Sequence, residues 1–164
     1  MEIPKELSSP INKALYRLSM GDMTVREMQE YLTDPKRKNT AFPEEIATKA
    51  VDFLRQEGFL DDKRYLRLAV AKLDRSLAGK RKIRQVLSRH LFPPAYIEAA
   101  LNRPIDYAAR ALALLEKKSG AGETAKTPAG RKKLTDYLIR QGYDYGTARE
   151  ALSNFSEEDD PFLD

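Results

Sequence analysis

The sequence predicts an all-α protein, an elongated tandem array of three three-helix repeats, and three observations carry that prediction. Apolar residues recur at spacings of three and four along nearly the whole chain, which is the period of one helix face. β-branched residues never alternate over a useful length, so strand signals are almost absent. Finally, Gly79 to Leu101 superimposes without a gap on Gly130 to Leu152, at an offset of 51 residues. In that register Ile83, Leu87, Arg89, Ile97 and Leu101 fall on Leu134, Leu138, Arg140, Ala148 and Leu152. A weaker, earlier copy runs through TVREMQEYL and PEEIATKAV. There Met28 and Leu32 match Ile83 and Leu87, and Ile46 matches Ile97 once four extra residues are allowed near DPKRKN.

Each copy supplies two helices and is preceded by a third, over roughly Ile11 to Met20, Asp62 to Leu77 and Ile105 to Lys118. In the first repeat Thr24 and Glu27 have the spacing of a capping box, which opens the second helix. Pro43 and Pro94 stand where a first helical turn tolerates proline, and Gly58 and Gly142 follow their helices as C-terminal caps. The stripes Ile46, Ala50, Phe53, Leu54 and Leu66, Ala69, Leu73, Leu77 are narrow, so each helix needs neighbours for burial. SGAGETAKTPAG, Ser119 to Gly130, reads as a flexible or extended connector. The resulting division is residues 1–60 with an N-terminal extension, 61–103, 104–156, and an acidic tail over 157–164.

The chain has 164 residues, 41% of them apolar, and no cysteine, which excludes disulfides and thiolate metal sites. No run is apolar enough for a membrane span, and MEIPKELSS lacks a signal peptide's apolar core, so a cytoplasmic protein is expected. Net charge is only +4, but Asp61 to Arg103 carries eleven basic residues against four acidic ones. The last eight residues, EEDDPFLD, carry five acids. Such asymmetry favours a polyanionic partner for the middle and a solvated tail at the end.

The basic residues raise a question of placement. Lys80, Arg81 and Lys82 follow Gly79, and Arg131, Lys132 and Lys133 follow Gly130, so both triplets read as first helical turns. The partial positive charge at a helix start disfavours an exposed base by about 0.3–1 kcal/mol, and Lys80 with Arg84 adds a like-charge i,i+4 pair. Local stability therefore does not explain these residues. A polyanion would, because basic side chains plus free amides at a helix start form a phosphate or carboxylate seat. A solvated charged face is the competing reading. The candidate binding residues are Lys80, Arg81, Lys82, Arg84, Arg89, Arg131, Lys132, Lys133 and Arg140.

At QEGFLDDKRYLRLAVAKL, Gln56 to Leu73, followed by GKRKIRQVL, the sequence closely resembles the RecX family of bacterial regulators of the RecA recombinase. The family hallmark is matched by Gly58, Phe59, Leu60, Asp61, Asp62, Lys63, Arg64 and Tyr65. Physically, this motif reads as a joint: Gly58 closes one helix, Phe59 and Leu60 tuck in between repeats, and Asp61 or Asp62 caps the next helix. The resemblance covers roughly Ile11 to Phe155. The sequence departs from the pattern at Ser19 to Asp22, at the inserted DPKRKNT, at Leu91 where the next repeat has Gly142, and at the long connector. What the resemblance implies is a protein inhibitor that binds the RecA nucleoprotein filament, with some DNA binding, acting in recombination and repair; a monomer is expected.

No cofactor and no catalysis are expected, since the sole histidine, His90, has no candidate partner nearby in sequence and reads as a helix-end surface residue. The alternative to a filament regulator is a sequence-independent binder of single-stranded DNA acting without a protein partner, with Tyr65, Tyr137 and Tyr143 as stacking platforms. A passive helical scaffold is the third possibility.

Overall fold

The structure, a computed structural model, describes residues 1–37 and 41–158. Lys38 to Thr40 of the DPKRKNT insertion and the acidic tail from Asp159 onward lie outside the described residues. The protein is all-helical. A 3-10 turn at Lys5–Leu7 leads into α1 (Ser8–Leu18), α2 (Val25–Thr33), α3 (Glu44–Gln56), α4 (Asp62–Arg75), α5 (Lys80–Arg89) and α6 (Pro94–Leu101). They are followed by α7 (Tyr107–Lys117), α8 (Ala121–Thr124), α9 (Pro128–Arg140) and α10 (Tyr145–Glu158). No helix among the described residues is long and apolar enough to cross a membrane. The helices gather into two compact units, Met1–Ala69 with Ser88–Pro94, and Val70–Leu87 with the described residues from Ala95 onward.

In the first unit, Ile11 and Ala14 of α1, Met28 and Leu32 of α2, and Ala47, Ala50, Val51 and Leu54 of α3 form one buried core. The N-terminal extension joins it through Leu7, at the end of the 3-10 turn. The capping box at α2 forms as its spacing implies: Thr24 accepts from the Glu27 amide at 3.1 Å, and Glu27 accepts from the Thr24 amide at 3.1 Å. Gly58 takes φ +79° at the end of α3, and Phe59 donates its amide to the Leu54 carbonyl at 2.8 Å. Leu60 is buried here, whereas Phe59 stays 38% exposed, so only one of the two apolar residues of the joint is tucked in. The paired acids divide their work. Asp61 caps α4 by accepting from the Arg64 amide at 3.0 Å, and Asp62 reaches the start of α2, accepting from the Val25 amide at 2.9 Å.

The second unit is centred on α7, α9 and α10, with Leu115, Leu134, Leu138, Tyr143, Ala148 and Ala151 at its core. The segment from Ser119 to Gly130 is not an open connector. Ala121 and Ala125 are buried in this core, α8 occupies its first half, and α9 already begins at Pro128. At the end of α4, the Asp74 carboxylate accepts from Arg103 at 2.8 and 3.1 Å and from Arg110 at 3.0 Å. These bonds, led by that from Arg103, hold the Asp74 carboxyl below the usual carboxylate range against the opposing cost of partial burial. Leu91, which stands where the next repeat has Gly142, adopts the same left-handed region at φ 59°, a conformation that an L side chain adopts only at a cost.

Candidate functional site

Eight of the nine candidate bases lie in the second unit, and Arg89 lies in the first. Lys80, Arg81 and Lys82 form the first turn of α5, as the sequence implies. The start of that helix is not an open anion seat. Gly79 donates its amide to the Gln141 carbonyl at 2.8 Å, and Arg81 donates its amide to the Gly142 carbonyl at 3.0 Å. Both carbonyls belong to the turn that ends α9, so the positive pole of one helix meets the negative pole of another. Two amides that would have held a phosphate are already satisfied, and the local penalty on the bases is offset by these carbonyls.

The approach needs two glycines. At Gly142, φ is +99° and an added Cβ would lie 2.5 Å from the Lys82 amide nitrogen and Cβ. At Gly79 an added Cβ would collide with the Gly142 carbonyl group. Lys82 is drawn into the same joint, donating from Nζ to Gln141 Oε1 at 3.0 Å, and is half-buried. Lys80 and Arg81 remain exposed. Arg84 is also exposed and pairs with Glu98 at 3.0 Å, a surface pair of about 0–1 kcal/mol.

The second triplet sits differently from the sequence expectation. Thr127 caps α9 by accepting from the Gly130 amide at 3.0 Å, and Pro128 occupies the first helical position. Arg131, Lys132 and Lys133 are therefore in the second turn, beyond the reach of the helix-start charge, and break no local rule. Gly130 is required for contact, since a Cβ there would run into the Thr124 carbonyl. Arg131 donates to the Ala125 carbonyl at 3.0 Å, while Lys132, Lys133 and Arg140 are exposed. Arg140 ends α9, where a base suits the helix dipole.

Between α9 and α10 lies a shallow groove of about 810 Å³, lined by Arg131, Lys132, Asp136, Ile139, Tyr145 and Arg149, with hydroxyls from Thr135, Ser153 and Ser156. Tyr145 is 59% exposed. Sequence reasoning missed Tyr145 and Arg149, although their spacing of four on one helix was a visible signal. The tyrosines it chose as platforms are engaged elsewhere. Tyr143 is buried and donates to the Leu77 carbonyl at 2.5 Å, and burial pushes its hydroxyl pKa well up. Tyr137 is half-buried with the Lys118 ammonium 4.1 Å from its ring centroid. Tyr65 is half-buried with its ring centroid 5.0 Å from that of Phe92.

His90 is not an isolated surface residue. Its Nδ1 lies 3.2 Å from Glu27 Oε2 and 3.5 Å from the Tyr65 hydroxyl, and its carbonyl accepts from Thr24 Oγ1 at 2.6 Å. The group is a tertiary extension of the capping box at α2. Burial first, and then the Glu27 carboxylate, raise the Tyr65 pKa. No group of three or more His, Asp or Glu side chains among the described residues is placed to hold a metal ion.

Comparison with known proteins gives one consistent answer. Residues 105–152 match the family model described as RecX, third three-helix domain. The chain is 27% identical over 138 residues to Regulatory protein RecX of Pseudomonas entomophila, covering 84% of this chain and 87% of that protein. It is 28% identical over 155 residues to Regulatory protein RecX of Escherichia coli K12, covering 90% of this chain and 92% of the relative. Its fold matches the crystal structure of RecX from Lactobacillus salivarius with a TM-score of 0.70 at 20% identity, over 93% of this chain and 98% of the other.

Proposed function

We propose that this chain, similar to RecX regulatory proteins over about nine-tenths of its length, is a member of that family that binds the nucleoprotein filament of a RecA-type recombinase and limits its activity in recombination and repair. The observation that carries this reading is the span of the similarity. Relatives named as regulatory proteins match over nine-tenths of the chain, so the reading does not depend on one shared module. In its support, Lys80, Arg81, Lys132, Lys133 and Arg140 are exposed on the second unit, available to DNA phosphates or to an acidic protein surface. Lys82, bonded to Gln141, belongs to the joint between α5 and the end of α9 rather than to the exposed set. The three-helix repeat organisation over 1–60, 61–103 and 104–156 belongs to the same reading.

The test compares retention of the full chain on RecA filaments assembled on single-stranded DNA with its retention on the same DNA alone, at one salt concentration. Markedly tighter retention on the filament supports a filament regulator. Equal retention on both favours the stand-alone DNA binder, and retention on neither leaves the passive scaffold.

A further inference from the structure

The groove between α9 and α10 has a chemical character that the exposed bases alone do not explain. Among the described residues, three cations, Arg131, Lys132 and Arg149, line it against one carboxylate, Asp136. None of Lys132, Arg149 and Asp136 has an ion-pair partner within 4.0 Å among the described residues. Beside them Tyr145 leaves 59% of its surface open, although the core of this unit has buried Tyr143 two residues earlier. Tyr145 and Arg149 are one turn apart on α10, so ring and guanidinium share a face. Arg131 is held in place by its bond to the Ala125 carbonyl, which fixes one cation on the opposite wall.

We infer that this groove seats an unpaired stretch of nucleic acid, with a base stacked on the Tyr145 ring and the adjoining phosphates held by Arg149 and Lys132. An open aromatic ring flanked by cations is the arrangement by which single strands are bound without regard to sequence, because every base offers a flat face. A duplex, with its bases stacked inside, uses only the cations. An acidic peptide would also be drawn to the cations, but it has no equivalent use for the exposed ring. The inference deepens the proposed function by assigning direct contact with single-stranded DNA to residues outside the two basic triplets, and it rests on that reading only for its biological setting.

The test measures binding of a fluorescently labelled oligothymidine of fifteen nucleotides to the full chain, with no recombinase present. Tyr145→Ala should weaken binding about 5- to 150-fold, the range for one lost stacking contact, and Tyr145→Phe should restore it. Arg149→Gln should weaken binding and make its salt dependence shallower. A duplex of the same length should bind Tyr145→Ala and the unaltered protein alike. The side chain is exposed, so an unchanged circular dichroism melt establishes that the variants fold. Oligothymidine binding that is unchanged in folded Tyr145→Ala, or absent in the unaltered protein, overturns the inference. So does displacement of the oligonucleotide by an acidic peptide to an equal extent from Tyr145→Ala and the unaltered protein. If Tyr145→Ala binds DNA normally yet no longer restrains the recombinase, the groove is a protein contact and only this inference fails. If DNA binding depends on Tyr145 but the recombinase is unaffected by the protein, the proposed function fails and the groove stands.

Discussion

Replacing Gly142 with alanine strikes the joint that presents the basic turn of α5. An L residue at φ +99° costs about 1–2 kcal/mol for its left-handed backbone. The new Cβ would also lie 2.5 Å from the Lys82 amide nitrogen, so the start of α5 must retreat. Retreat endangers the bonds from Gly79 to Gln141 and from Arg81 to Gly142, each worth about 0.5–1.5 kcal/mol net. The combined loss is about 2–5 kcal/mol. Gly58 supplies the control, because it has φ +79° with nothing within 4 Å of an added Cβ, and Gly58→Ala should carry the backbone cost alone. Urea unfolding followed by far-ultraviolet circular dichroism reads both variants. Gly142→Ala should be the more destabilised by about 1–3 kcal/mol, the value of the two bonds. Equal losses in the two variants would refute the close approach as the reason for glycine at 142.

Two further outcomes follow from the same unit. Lys80→Gln with Arg81→Gln removes exposed charge while leaving the Lys82 bond to Gln141 in place, so the melting temperature should shift by no more than about 2 °C. Filament retention should fall, with a shallower dependence on salt if the pair displaces counterions; an unaltered salt slope would mean the pair meets no phosphate. Tyr143 has its pKa raised by burial, so the folded chain keeps the phenolic proton after the unfolded chain begins to lose it near pH 10. Its contribution is complete below that pH and is lost as the pH rises through the folded value. Tyr143→Phe should cost about 0.5–1.5 kcal/mol at pH 7 through the bond to Leu77 and should flatten the alkaline fall in stability; an identical alkaline slope would contradict the assignment.

Local signals carried the helices. The capping box of Thr24 and Glu27, the glycine stops at 58 and 142, and the apolar period of α1 to α7 could all be read directly, because each rests on contacts within a few residues. The misread segments depend on partners distant in sequence. Ser119 to Gly130 has the composition of a loop, yet its Thr127–Pro128 pair is a helix-start signal, and Gly130 serves close contact with Thr124 rather than marking the boundary. The amides at the start of α5 looked free because nothing in their neighbourhood reveals Gln141 and Gly142. His90 looked solitary for the same reason, since Glu27 and Tyr65 reach it only through the fold. At the candidate site, the basic triplets were legible as composition, whereas the groove with Tyr145 and Arg149 arises only when α9 and α10 pack together.

The central claim, that this chain restrains a RecA-type filament, is tested most directly by ATP hydrolysis. The recombinase is assembled on single-stranded DNA and the full chain is titrated in, beside its Lys80→Gln, Arg81→Gln variant at equal folded concentration. Hydrolysis should fall progressively with the unaltered chain, and the variant should require a higher concentration for the same effect. A hydrolysis rate that stays constant at clear excess of the properly folded chain, with recombinase from the same source, would contradict the account.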